Sequence, residues 1–286
     1  TILGHGQFEE KRYGDAEQSY QQVLALMAKN DVKRHEIEEN LAAAVYKQGE
    51  LARDGGDLRG AVRHFLRIAD LTPTSSIAAT AQYDAAAASL ALEDWQKAIA
   101  LLEGFRAHYP DNPLQKDVAP KLASAYQKVG DWRKAAAESE TVAKQGEGEQ
   151  LQRDALWQAG ELYVRAGQPQ EALRTFQDYA RRFPKPAGQL IDAEQRLAEL
   201  YAQQNNSERQ QYWLQQIIDT DKAGGAERSD HTRLLAGRAA LTLADARYRA
   251  FADIKLSHPL KNSLKGKKKA MEEALAAYRA AGDYGI

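Results

Sequence analysis

Ala61, Ala98, Ala135 and Ala172 lie 37 residues apart each time, and the residues around them recur with the same spacing. Four residues after each alanine come Phe65, Leu102, Ser139 and Phe176. Eight further on come Pro73, Pro110 and Pro184, with Glu147 in the third unit. Three residues before each alanine stand Leu58, Trp95, Trp132 and Pro169, preceded by Gly56-Asp57, Glu93-Asp94, Gly130-Asp131 and Gly167-Gln168. Twelve residues before it lies a small residue, Gly49, Ala86, Ala123 or Gly160. A period of this length constrains a chain more than its composition does, because one supersecondary unit cannot bury its apolar face alone and must stack on its neighbours.

Each recurring position has a physical role. The small residue lets two helices of one unit approach closely, and the large apolar residue four after the alanine fills space between units. A Gly-Asp pair turns the chain and then caps the second helix, since an Asp side chain accepts from an unpaired N–H of the first turn. Pro169 suits the first helical position, where a missing N–H costs nothing, and a proline after the second helix stops it. No stretch alternates apolar and polar residues between hairpin turns, as strands would.

The small residue, then Tyr126 and Tyr163 nine before their alanines, then Ala, a large apolar residue and Pro, resemble the tetratricopeptide repeat, with a period of 37 in place of 34. The resemblance implies an all-α fold: a right-handed superhelical solenoid of antiparallel helix pairs, as a single array over 1–286. Clear repeats fill 34–186. A partial repeat over 1–33 is read from Gly14-Asp15-Ala16 and Tyr20. Degenerate repeats follow over 187–286. There, Glu199-Leu200-Tyr201 echoes Glu161-Leu162-Tyr163 at a distance of 38 and predicts helices near 188–204 and 206–220, with Gln210 and Leu214 replacing the Ala and Phe. Gly237, Ala274 and Tyr278 predict a last, longer pair near 227–254 and 262–281.

Composition narrows the function. A net charge of −1 argues against a global grip on nucleic acid. The absence of cysteine excludes disulfides, thiolate metal sites and cysteine nucleophiles, and inclines the reading towards an oxidising compartment. No apolar run approaches the roughly 18 residues of a membrane span. The six histidines fall at no metal-binding spacing, and no hydrolase, metalloprotease or phosphate-loop motif occurs. No catalytic, cofactor or metal site is expected, and the chain is read as a non-enzyme. Thr1 opens the chain without an apolar leader and Gly282-Asp283-Tyr284-Gly285 resembles a turn into a further unit, so continuation in both directions is expected.

Two surfaces carry a functional reading. In the family resembled, ligands lie in the groove lined by the first helix of each pair. Carried onto this chain, that face holds Tyr46, Lys47, Glu50 and Arg53; then Tyr83, Asp84 and Leu90; then Lys121, Ser124 and Lys128; then Trp157, Gln158, Glu161 and Arg165; then Gln195, Arg196 and Glu199. Aromatic and Arg residues there suit a protein or peptide partner, although Tyr46, Tyr83 and Trp157 are equally suited to packing between units. The Lys/Asn/Arg clamp of chaperone-tail binders is missing, since Tyr46, Glu50 and Asp84 stand at its positions. The second surface is the cluster Lys255, Lys261, Lys265, Lys267, Lys268 and Lys269, with no acidic residue between Asp253 and Glu272. It is a solvated connection, a dock for an acidic partner, or a contact for anionic lipid, lipopolysaccharide or nucleic acid. Nucleic acid is disfavoured because no interleaved aromatics offer stacking.

His108-Tyr109-Pro110-Asp111-Asn112-Pro113 and the weaker Arg182-Phe183-Pro184-Lys185-Pro186 are similar to bacterial cell-envelope repeat proteins. That likeness implies a non-catalytic adaptor in the assembly or organisation of an envelope complex, periplasmic and associated with the outer membrane. The alternative is a cytoplasmic regulator, or an accessory domain of a larger enzyme or signalling protein.

Overall fold

The computed structural model describes residues 1–285, and among these every regular element is helical. The chain divides into two compact units, the first running from Thr1 to Gly146 and the second beginning at Glu147. In the first, α1 (Ile2–Glu9) and α2 (Tyr13–Leu26) precede three antiparallel pairs: α3 (Arg34–Asp54) with α4 (Leu58–Leu71), α5 (Ala78–Ala91) with α6 (Trp95–His108), and α7 (Val118–Val129) with α8 (Trp132–Gln145). The second holds α9 (Glu149–Arg165) with α10 (Pro169–Arg182), α11 (Ala187–Gln203) with α12 (Ser207–Ala223), and α13 (Asp230–Asp253) with α14 (Leu260–Gly282). The degenerate pairs therefore form where the 38-residue echo and the last alanine predict them. In the partial repeat, α2 has the short α1 as its partner.

The turn inside five of the six pairs, all but α13–α14, is built alike. Gly56, Glu93, Gly130, Gly167 and Asn205 all take positive φ, and the following residue is the N-cap of the second helix. Asp57 accepts from Gly60 N at 2.8 Å, Asp131 from Lys134 N at 3.1 Å and Asn206 from Arg209 N at 3.1 Å. Gln168 makes no such bond, and Pro169 at the first helical position has no N–H to satisfy. Glu93 is the exception in chemistry: its φ of +58° belongs to the left-handed region that a Cβ disfavours. Glu93→Gly is expected to raise the unfolding free energy by up to about 1 kcal/mol, the relieved strain outweighing glycine's extra unfolded-state entropy. A urea midpoint that falls in this variant would show the turn to be unstrained.

Inside the pairs, Phe65 and Phe176 are 1% and 0% exposed. They fill their own pairs rather than only the space between neighbours. A Cβ on Gly49 would stand 2.5 Å from the Phe65 ring, and one on Gly160 would stand 2.6 Å from the Phe176 ring. The same contact thus recurs three periods apart. In the third pair the large residue is Ser139, buried with its Oγ donating to Ala135 O at 3.0 Å. Tyr126 is buried and donates its hydroxyl to Glu103. Burial and that carboxylate together hold its pKa well above the ordinary tyrosine value.

Candidate functional site

The residues predicted for the groove gather in two sets, one in each unit. In the first unit, the Tyr46 hydroxyl donates to Asp84 Oδ2 at 2.5 Å, joining α3 to α5. Burial, and then this carboxylate, push the Tyr46 phenol far above its ordinary pKa. Arg53 approaches Asp84 at 3.9 Å, and Lys47 pairs with Glu50 at 2.6 Å. Lys121 of α7 places its Nζ 5.6 Å from the centre of the Tyr83 ring, joining α5 to α7. Lys128, two turns further along α7, lies 5.7 Å over Trp95 instead, and Ser124 between them is exposed.

In the second unit, Arg196 bridges Glu161 of α9 at 2.8 Å and Glu199 of its own helix at 3.0 Å. Gln195 donates to Glu199 at 2.8 Å. His231 of α13 meets Asp192 of α11 at 2.8 Å. Arg165 is exposed on the last turn of α9.

Tyr46, Tyr83 and Trp157 take the packing role, each within its own helix pair. Each ring leans on an aromatic of the second helix: Tyr46 on Phe65 at 5.2 Å, Tyr83 on Phe105 at 5.6 Å, and Trp157 on Phe176 at 5.3 Å. Each also remains half-buried rather than sealed. Trp157 and Tyr179, with Asp154, Gln189 and Asp192, border a shallow acidic cleft of about 190 Å³.

The second unit contains a feature that the sequence reading did not identify. An apolar recess of about 230 Å³ opens between α11, α12 and α13. Ala198, Leu214, Ile217, Leu235 and Ala239 form its floor, with Gln195, Glu199, Gln210 and Arg238 at the rim. Its origin lies in the degraded repeat. Thirty-eight residues on, Trp157 becomes Gln195, Gly160 becomes Ala198, Ala172 becomes Gln210 and Phe176 becomes Leu214. Where α9 and α10 fill their junction with the edge-to-face rings of Trp157 and Phe176, this pair has no ring at the corresponding positions, and the volume stays open. The exchange of Ala and Phe for Gln210 and Leu214 was the signal available in the sequence.

Among the described residues, no group of three or more His, Cys, Asp or Glu side chains is placed to hold a metal ion, and no helix is long and apolar enough to cross a membrane.

The tetratricopeptide repeat family model matches residues 80–112, which span most of α5 and all of α6, and 154–186, which span most of α9 and all of α10. Among solved structures, the chain is similar to YrrB, described as a tetratricopeptide repeat protein with an unusual peptide-binding site. Identity to it is 23% over 66% of this chain and 92% of that one, with a TM-score of 0.41. It is also similar to MamA, at 15% identity over 65% and 94%, TM-score 0.40. A third likeness is to a tetratricopeptide repeat protein from Parabacteroides merdae, at 14% identity over 96% of both chains, TM-score 0.35. No curated protein matches. Repeats of this family generally form non-catalytic scaffolds that bind proteins or peptides. The two matched segments, 80–112 and 154–186, are tetratricopeptide repeats, and the same layout of antiparallel helix pairs recurs in the helices that flank them.

Proposed function

We propose that the protein is a non-catalytic scaffold that holds a segment of a protein partner along the first-helix faces of its second unit, with one large apolar side chain of the partner seated in the recess between α11, α12 and α13. The recess carries this reading. It offers an apolar floor beside Glu199 and Arg238, the combination of a desolvated anchor and flanking polar groups that dominates peptide recognition. The setting proposed is a bacterial envelope complex on the periplasmic side of the outer membrane. The support is the Tyr109-Pro110 and Phe183-Pro184 segments, similar to envelope repeat proteins, and the lack of cysteine.

Crosslinking followed by affinity capture from the native cell names the partner, and a recess-filling variant tests the mode. Leu214 is half-buried at the recess wall, so Leu214→Trp fills the space without displacing a sealed core side chain. It is expected to weaken the captured partner at least tenfold while the thermal midpoint holds. Lys47→Ala, in the first unit, serves as the comparison and is expected to change affinity less than threefold. Equal capture by the parent and Leu214→Trp removes the recess from the binding surface.

A further inference from the structure

The last helix pair is longer than its neighbours. Helices α9 to α12 have 14 to 17 residues, whereas α13 has 24 and α14 has 23. The surplus lies at one end. The last buried residue of α13 is Ala244 and the first of α14 is Ala274, and nothing between them is buried. The end of this hairpin therefore projects beyond the stack and packs only on itself. Lys267 ties it together, donating to Ile254 O at 2.8 Å and lying 5.0 Å from the Phe251 ring centre.

The lysine cluster sits on this projection. Only Lys255 lies in the connection. The other five occupy the first three turns of α14, so the cluster belongs to a helix rather than to a solvated loop. Among them stand three leucines that the fold leaves in water: Leu256, Leu260 and Leu264 are 51%, 48% and 52% exposed. Leu260 and Leu264 are one turn apart on one face, and Met271, 39% exposed, continues that stripe. Lys261, Lys265 and Lys268 flank it, and all three are exposed.

We infer that the projecting end of the α13–α14 hairpin docks on an anionic lipid surface, its leucines entering the headgroup boundary while the surrounding lysines meet lipid phosphates. Charge complementarity selects this occupant, since five of the six cations in these fifteen residues, all but Lys267, are exposed on a chain whose net charge is −1. A basic helix with a leucine stripe is the pattern that lies in a membrane interface. A nucleic acid would use the lysines and leave the leucines in water, and no Phe, Tyr or Trp lies between Ala252 and Ala277 to stack on a base. An acidic protein would be read through paired charges, and this segment has no acidic residue between Asp253 and Glu272 to set a register.

Vesicle flotation tests this directly on the intact chain, with pure phosphatidylcholine against phosphatidylcholine containing 30 mol% phosphatidylglycerol, at low salt. The parent is expected to float with the anionic vesicles and to bind them at least tenfold more tightly than neutral ones. The triple change Lys261→Glu, Lys265→Glu, Lys268→Glu and the triple change Leu256→Ser, Leu260→Ser, Leu264→Ser are each expected to abolish flotation. Loss with the lysine variant but not the leucine variant overturns the inference and points to an acidic protein or a polyanion. Failure of the parent to float also overturns it.

Because the chain has no cysteine, an environment-sensitive dye on Ser257→Cys reports insertion without either triple variant. Its emission is expected to shift to the blue with anionic vesicles, while the dye on Ser207→Cys, at the start of α12, stays unchanged. No shift at Ser257→Cys, or equal shifts at both sites, rejects the orientation.

Discussion

Phe176→Ala is expected to lower the unfolding free energy by about 3–5 kcal/mol, the range for deleting a sealed aromatic and leaving a cavity. The ring is 0% exposed, lies edge-on to Trp157 at 5.3 Å, and covers Gly160 at a distance no Cβ tolerates. Gly160→Ala attacks the same contact from the other side. Its methyl would meet the ring at 2.6 Å, an overpacking cost of about 1–3 kcal/mol against a gain of roughly 1 kcal/mol in helix propensity. The neighbouring pair, with Ala198 and Leu214 at the corresponding positions, is built the other way. Combining Gly160→Ala with Phe176→Leu is therefore expected to cost less than the sum of the two changes. Urea denaturation of the four members of this cycle measures the coupling. Strict additivity would mean that the glycine and the ring do not constrain each other.

The second large effect concerns Glu194 on α11. It is 3% exposed, accepts one hydrogen bond from Thr220 Oγ1 at 2.9 Å, and its Oε2 finds no partner among the described residues. Burial pushes its carboxyl up to about 7, with the nearby Asp219 carboxylate adding to the shift. In the unfolded chain the same group titrates near 4.5. Between those values the folded protein keeps a proton the unfolded chain has released, so stability falls as pH rises. The loss is absent below about pH 4.5 and complete above pH 7, and it amounts to about 3 kcal/mol from the size of the shift. Glu194→Gln keeps the acceptor for Thr220 and removes the charge. It is expected to stabilise the protein by about 1–3 kcal/mol at pH 8 and to bring little change at pH 5. A stability difference of the same size at both pH values would show that shape, not charge, separates the two proteins.

Turn and cap chemistry was the most legible part of the molecule. Gly56-Asp57 and Gly130-Asp131 specify a left-handed residue and an N-cap within two positions, and the structure uses both as such. Glu93-Asp94 takes the same turn although Glu is a poor residue for it. The repeat's packing imposes that geometry on a residue that would not choose it. The pairing of helices was legible for the same reason: each second helix follows a short turn and has only its own first helix within immediate reach.

The groove was legible in part. Counting along the first helices brought Tyr46 to Asp84 and Glu161 to Arg196, because those positions recur once per period on one helix face. It could not say that Tyr46, Tyr83 and Trp157 would each lean on a buried aromatic, since Phe105 stands outside the recurring position that Phe65 and Phe176 share. The lysines were visible as a cluster. Their setting on a projecting hairpin was not, because projection is measured against the length of the helices beside it.

By itself, the sequence determined the period, the helix boundaries, the turns and the capped second helices, all consequences of residues within a few positions of one another. Tertiary structure alone decided which volumes close and which stay open. Phe176 seals its pair because Gly160 gives it room, whereas Leu214 meets Ala198 and leaves a recess. Glu194 loses its water to residues on another helix, and Leu260 keeps its water because no helix reaches that far. Burial is a property of neighbours distant in the chain, and their distances are set only once the pairs have stacked.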